Sequence, residues 1–323
     1  MPQVTVIIPV FNTEQYLDKC LNSVLGGTFK DIEVLIINDG SPDGEVCNVY
    51  PAIDNRVRVI HFKHNQGLSA ARNEGLRQAA APFISFVDSD DWIHPDKYAE
   101  MLRISTKYDA SMVSCGFQEH AVNGRPPSTQ SIKPQAATLM SGEEALKRML
   151  LADQSVAHTA CGKLYKRELF NGVNYPEGRL YEDAATTYKL YYKANNVATT
   201  PARYYNYLIR RTGITGNGFT PSSMDKLKAA SEITEFIERH CPKLTNHALC
   251  FSTITALRLA AGLSPKMAAL YPAEYIEIET ILKNSKPSPL LSTRHRCLLF
   301  LYKHCRFLYQ ALWDVRLRRL RHP

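Results

Sequence analysis

The sequence predicts an α/β protein: a mostly parallel sheet flanked by helices, followed by a helical C-terminal region. Three observations carry that expectation. Over the first 120 residues, short apolar runs alternate with segments of helical periodicity, as βαβ units do. Three of the apolar runs close on polar clusters, as strands of a parallel sheet do at their carboxyl ends. From Ser222 onward almost every window shows the three–four apolar spacing of a helix.

Residues 4–10 read as a buried first strand. Asn12 is expected to cap the next helix, with Gln15 as capping-box partner, and Leu17, Cys20, Leu21, Val24 and Leu25 give that helix its apolar face. Residues 32–37 form a second strand, ending at Asn38-Asp39-Gly40-Ser41. Residues 57–62 form a third, and 68–80 a helix. Residues 83–87 form a fourth strand, ending at Asp88-Ser89-Asp90-Asp91, and 112–117 a fifth. Polar and turn residues over 119–135 predict a loop or irregular hairpin. Helical patterns return at 142–151, 181–193, 224–240, 245–263 and 271–283, before Pro287 and Pro289 interrupt the chain. The expected organisation is an α/β domain over 1–220, a helical region over 221–287 and a basic amphipathic tail over 288–323.

Composition narrows the function classes. With 323 residues, 45% hydrophobic and 22% charged, the chain is neither a disordered tail, nor a collagen-like repeat, nor a multi-pass membrane protein. Its net charge of +8 suggests an anionic partner, but the charge is concentrated. Residues 288–323 hold eight Lys and Arg against one acid, +7, leaving +1 for the other 287. A nearly neutral body argues against nucleic acid as partner. Eight cysteines without a C-x-x-C pair read as free thiols of a reducing compartment. No basic segment and apolar core precede the first strand, so a cytoplasmic protein is expected. In the tail, Leu298, Leu301, Cys305, Leu308, Leu312 and Val315 form a rough stripe among arginines and aromatics. That suits a helix lying on the inner face of an anionic membrane, or one packed on the body with a solvated basic end.

The chemistry should lie beyond the strand ends, where Pro9-Val10-Phe11-Asn12, Asp39-Gly40-Ser41 and Asp88-Ser89-Asp90-Asp91 line one crevice. No G-x-G-x-x-G follows the first strand and no P-loop occurs, which disfavours dinucleotide binding and P-loop phosphate chemistry. Asp88, Asp90 and Asp91 repel one another unless a cation compensates, and hard oxygens suit Mg²⁺ or Mn²⁺. A solvated turn or helix cap would use the same residues, but the apolar run before them favours a site. Glu182 and Asp183 open a helical pattern. Two readings stand: acids favoured by the helix dipole, or a carboxylate base. Arg72, with Asn65, Gly67, Ser69 and Asn73 close in sequence, and the turn Arg210-Arg211-Thr212-Gly213 are surface arginines or partners of a diphosphate.

Taken in order, Val6-Ile7-Ile8-Pro9-Val10-Phe11-Asn12, Ile36-Ile37-Asn38-Asp39-Gly40-Ser41, Asn65-Gln66-Gly67-Leu68-Ser69-Ala70-Ala71-Arg72-Asn73, Phe86-Val87-Asp88-Ser89-Asp90-Asp91, Gly162-Lys163-Leu164-Tyr165 and Tyr181-Glu182-Asp183 resemble the family 2 glycosyltransferases of the GT-A fold, in the bacterial polysaccharide-synthesis branch. The resemblance covers about residues 3–216. It implies an inverting transfer of a hexose or N-acetylhexosamine from a UDP-sugar to a glycan or lipid-linked glycan, with Mn²⁺ or Mg²⁺ as cofactor. It implies that Pro9, Phe11 and Asp39 hold the uracil with Glu14 beside them, and that Asn65, Arg72 and Ser89 help to hold the nucleotide sugar. It implies ribose and metal contacts for Asp88, the metal for Asp90 with Asp91 adjacent, the catalytic base for Asp183 next to Glu182, and a diphosphate or acceptor contact for Arg211. Cys161-Gly162 departs from the Trp or Asn found near there in many relatives. The rival readings are a nucleotidyltransferase acting on sugar phosphates and a catalytically silent nucleotide-sugar-binding protein.

Overall fold

The computed structural model describes residues 1–121, 135–210, 219–263 and 265–312. The chain divides into two compact units, one of residues 1–149 and 153–213, the other of 150–152 and 214–323.

Up to residue 210 the chain runs β1 (Val4–Val10), α1 (Glu14–Leu25), β2 (Ile32–Asn38), α2 (Tyr50–Ile53), β3 (Val57–His61), α3 (Leu68–Gln78), β4 (Phe83–Phe86), β5 (Trp92–Ile93), α4 (Lys97–Tyr108), β6 (Met112–Ser114), β7 (Phe117–Ala121), β8 (Thr138–Ser141), α5 (Gly142–Leu150), β9 (Lys163–Lys166), α6 (Ala184–Lys193), β10 (Asn196–Thr199) and β11 (Tyr205–Ile209). Among the described residues, eight strands form one sheet in the order β3-β2-β1-β4-β9-β6-β10-β8. β3, β2, β1 and β4 are parallel neighbours, as are β6 and β10, whereas β9 and β8 run against their neighbours. Every residue of β1 is buried, which is why it reads as a continuous apolar run rather than an alternating one. Its register, Val10 opposite Asn38 and Ile7 opposite Phe86, brings the ends of β1, β2 and β4 to one edge. A second sheet, β5-β11-β7, carries β11 toward that edge.

Several local expectations change. Asn12 does not cap α1: it is left-handed (φ 53°), and the helix starts at Glu14 without a side-chain cap. Thr13 Oγ1 instead shares a 2.6 Å hydrogen bond with Ser89 Oγ. The strand expected over 112–117 splits at Cys115-Gly116, because Gly116 bonds Ala202 O and receives Tyr205 N–H, sending Phe117 into the second sheet. Residues 119–121, at the start of the stretch expected as a loop or irregular hairpin, belong to β7, and 122–134 lie outside the described residues. β5, β8, β9, β10 and β11, two to five residues each, are too short to show a period of two.

The second unit holds α7 (Asp225–His240), α8 (Thr245–Gly262), α9 (Pro265–Leu270), α10 (Pro272–Asn284) and α11 (Thr293–His304). α8 is buried around most of its circumference and forms the centre of a core with Leu227, Ile278, Leu282, Leu299, Tyr302 and Tyr309. The tail therefore contributes to this core as far as Tyr309. The expected apolar stripe is not continuous: the helix ends at Cys305 (φ −140°), and beyond that break Leu308 and Leu312 face outward with Phe300 and Phe307. Val315 lies outside the described residues. Lys303 donates to the carbonyls of Lys283 and Ser285 at the end of α10, and Arg306 pairs with Glu279. All eight cysteines are free thiols. Among the described residues, no helix is long and apolar enough to cross a membrane.

Candidate active site

The crevice begins where β1 and β2 end. Pro9 is buried in β1, and Phe11, just past the strand, stands 44% exposed. Asp39 donates its N–H to Val10 O (2.9 Å), and its buried carboxylate accepts from Gln66 N (2.7 Å), Gly67 N (2.8 Å) and Asn65 Nδ2 (3.0 Å). Three of the four or so lone-pair positions of the carboxylate thus tie the loop before α3 to the end of β2, and one remains for a ligand N–H. Burial pushes the Asp39 carboxyl up, against those backbone donors. Gly40 follows in the left-handed region (φ 69°), where a Cβ would fall 2.5 Å from the His64 carbonyl carbon. Glu14 is half-buried in the first turn of α1, and its Oε1 is buried without a hydrogen-bond partner.

The second cluster follows β4. Its three aspartates have three different environments. Asp91 is 1% exposed and is held by Tyr205 Oη–H (2.7 Å) and Leu208 N–H (2.8 Å). Burial first, and the neighbouring Asp88 and Asp90 charges second, raise its pKa. Asp88 is the most open, with its side chain 34% exposed, and it meets Arg72 Nη2 at 3.2 Å. Asp90 is paired with Arg210 Nε at 2.5 Å, and burial and the Asp88 charge raise its pKa. Tyr205 knits the group together, because its hydroxyl also accepts Asp88 N–H (3.1 Å).

The third cluster is the start of α6. Tyr181 adopts a left-handed backbone (φ 58°), uncommon for a bulky side chain, immediately before the acidic pair. Glu182 is buried and bonded to Arg72 Nη1. Asp183 is partly exposed and accepts from Ala184 N–H (2.7 Å). Burial raises the Asp183 pKa, while Arg72, the Ala184 N–H and Lys163 pull it back down. The Arg72 guanidinium carbon stands 5.7 Å from the ring centre of Phe86 and 5.4 Å from that of Tyr175, two rings that pack edge to face against each other. Far from being a surface arginine, it is a buried cation bridging Asp88 and Glu182.

Two buried lysines lie behind these acids. Lys97 Nζ donates to Ser85 Oγ (3.1 Å), and Ser85 donates to Lys163 O (2.9 Å). Lys163 Nζ donates to Thr159 O (2.6 Å) and Thr159 Oγ1 (3.1 Å). Burial pushes the Lys163 amine down to about 8, against the pull of the Asp183 charge. Sequence reasoning did not single out Lys163, Tyr205 or Thr13. Lys163 stands inside the motif Gly162-Lys163-Leu164-Tyr165, whereas Tyr205 is one of three tyrosines in Tyr204-Tyr205-Asn206-Tyr207 and carries no separate signal. Of the expected residues, Arg72 joins Asp88 to Glu182, while Ser89 is held by Thr13, Asp90 by Arg210 and Asp183 by the Ala184 N–H; Pro9, Phe11, Glu14, Asp39 and Asn65 surround the ends of β1 and β2. Arg211 lies outside the described residues.

The residues fit a divalent cation of the Mg²⁺ or Mn²⁺ kind. Asp88 and Asp90 offer hard oxygens, partly open, with like charges that raise the Asp90 pKa. Among the described residues, no group of three or more His, Cys, Asp or Glu forms a closed metal cage. One or two carboxylates completed by water and substrate phosphates is how such ions are commonly bound.

Comparison with known proteins identifies the family and the fold. The sequence matches Glycosyl transferase family 2 over residues 5–173, more than half of the chain. It is 31% identical over 267 residues to glycosyltransferase GlyA of Streptococcus pneumoniae, covering 80% of this chain and 38% of GlyA. The chain thus spans well under two thirds of that relative. The fold is that of S. aureus TarS 1-349, solved with UDP-GlcNAc (TM-score 0.66, 20% identity, 98% of this chain and 92% of that one). The mannosyltransferase PcManGT from Pyrobaculum calidifontis, solved with GDP-Man and Mn²⁺, is also similar (TM-score 0.54, 15% identity, 98% and 87%). The expected α/β GT-A fold is the one observed, and the chain belongs to glycosyl transferase family 2.

Proposed function

We propose that the protein is an inverting, metal-dependent hexosyltransferase. It moves a hexose or N-acetylhexosamine from a UDP-sugar to a hydroxyl of a lipid-linked glycan in cell-surface polysaccharide synthesis. The observation that carries this reading is the division among the acids: Asp88, Asp90 and Asp183 remain partly open, while Asp91 and Glu182 are locked away. TarS binding UDP-GlcNAc and PcManGT binding GDP-Man with Mn²⁺, as their structures are described, support a nucleotide-sugar donor and a metal.

On this reading Pro9, Phe11 and Asp39 hold the uracil, with Glu14 beside it. Asn65 orients Asp39 through its 3.0 Å bond, and Asp88 with Ser89 meets the ribose side of the donor. Asp183 takes the proton of the acceptor hydroxyl as that oxygen bonds to the anomeric carbon. The bond from this carbon to the diphosphate oxygen breaks, UDP leaves with the electron pair, and the configuration inverts. A divalent cation on Asp90 and Asp88 supplies the charge that stabilises the leaving diphosphate. Burial makes Asp183 a stronger base than a solvated aspartate, and Arg72 and Lys163 favour its ionised form. The enzyme works in the cytoplasm with its C-terminal segment on the inner face of the membrane. Phe300, Phe307 (83% exposed), Leu308 and Leu312 face outward within the basic tail, and nucleic acid is not a partner.

Release of UDP from a panel of UDP-hexoses and UDP-N-acetylhexosamines tests this, with and without Mn²⁺ and a lipid-linked glycan in anionic vesicles. Release is expected to require the metal and to rise with the acceptor. Equal release by the wild type, Asp90→Ala and Asp183→Asn across the panel would sink the mechanism. Donor binding without turnover would favour a silent nucleotide-sugar-binding protein.

A further inference from the structure

We propose that Arg210 stands in for the divalent cation on Asp90, so that guanidinium and metal compete for one carboxylate and the cation binds well only together with the nucleotide. This rests on the metal reading above. Arg210 Nε lies 2.5 Å from Asp90 Oδ2, with the two side chains 18% and 17% exposed. Its guanidinium carbon stands 5.3 Å from the ring centre of Tyr16 in α1. Arg210 directly follows β11, and β11 is pinned two residues earlier: Leu208 N–H is bonded to Asp91, as is the Tyr205 hydroxyl. The locked Asp91 therefore acts as the anchor that sets Arg210 over the neighbouring Asp90. Rotation of one side chain uncovers Asp90 while the β11 backbone stays in place.

The other cation in the cluster cannot exchange in this way. Arg72 is buried and held by both Glu182 and Asp88, so moving it would strand a buried charge. Arg210 has a carboxylate partner only in Asp90 among the described ion pairs. A metal at its usual distance of about 2.1 Å from an Asp90 oxygen would stand against the guanidinium now bonded there. One of the two must leave. Asp88 and Asp90 alone give a free ion few ligands, and a pair this little exposed resists displacement. Diphosphate oxygens add ligands and negative charge, which shifts the contest toward the metal. Because coupling is reciprocal, the metal then raises nucleotide affinity by the same factor.

Mn²⁺ binding to the full chain, followed by the loss of the free-ion electron paramagnetic resonance signal, tests the proposal without relying on turnover. The wild type, Arg210→Gln and Arg210→Lys are each titrated with and without UDP, with thermal melting as the check on folding. Arg210→Gln is expected to bind Mn²⁺ about fivefold more tightly without UDP. The enhancement by UDP should shrink, with Arg210→Lys in between. Equal or weaker Mn²⁺ binding by Arg210→Gln overturns the competition. No Mn²⁺ binding by any of the three, even with UDP, overturns the metal reading and the competition with it. Asp90→Asn, which should lose Mn²⁺ in either condition, marks the difference between these failures.

Discussion

The acids after β4 and the acids before α6 solve the same electrostatic problem in opposite ways. In each group, adjacent carboxylates would repel, and one is taken out of play: Asp91 by Tyr205 and Leu208, Glu182 by Arg72. The open members differ in what supports them. Asp183 is backed by cations fixed in the interior, Arg72 and Lys163, which oppose the rise that burial imposes on its pKa. Asp90 is balanced by Arg210, which is still partly exposed. Fixed cations suit a group that must be ionised in every cycle. An exchangeable one, as proposed for Arg210, suits a carboxylate that is proposed to take a metal and release it.

That contrast can be broken most sharply at Asp183, the proposed base. Asp183→Asn should lower kcat about a thousandfold while leaving UDP binding unchanged, as loss of a general base does. Glu182→Gln should act mainly on stability. It leaves Arg72 short of a buried anion, at a cost of about 3 kcal/mol, which urea denaturation would read. Full activity in Asp183→Asn would remove it as the base, and unchanged stability in Glu182→Gln would mean that Arg72 does not need this anion. The smallest effect is expected at Lys163. Its folded pKa is about 8 against 10.5 for the ordinary amine, so between those values the unfolded chain binds the extra proton. Its contribution to stability therefore rises with pH across that window and is lost as pH falls through about 8. Lys163→Met should flatten that rise in melting curves. It should also move the acid limb of kcat/KM to higher pH, because the charge that opposes the burial of Asp183 is gone.

Much of the first unit is legible in the sequence because β1 and β2 are long, buried and uniformly apolar, and polar residues end them abruptly. The helices of the second unit are legible for the complementary reason. Helices of 12 to 18 residues, as α7, α8, α10 and α11 are, let the three–four period accumulate. The antiparallel β9 is not legible, since Lys163-Leu164-Tyr165-Lys166 has no period to read and both lysines look like surface residues. The buried Lys163 amine is satisfied by Thr159, four residues earlier, through a turn that no pattern of charge or hydropathy marks, while Ser85 reaches only its backbone carbonyl. Asn12 illustrates the reverse error: a good capping residue fails to cap because the backbone there is left-handed and Thr13 turns to Ser89.

By itself the sequence determined the α/β class, the family motifs and the two acidic clusters, because these rest on local runs and spacing along the chain. It also located the surplus charge in the last 36 residues. Only the tertiary structure decided which carboxylate in each cluster is locked and which is open, that Arg72 bridges the clusters, and that the tail packs into a helical core as far as Tyr309. Those outcomes depend on partners up to 117 positions apart, such as Asp91 and Leu208, and on burial that a one-dimensional pattern of charges does not carry.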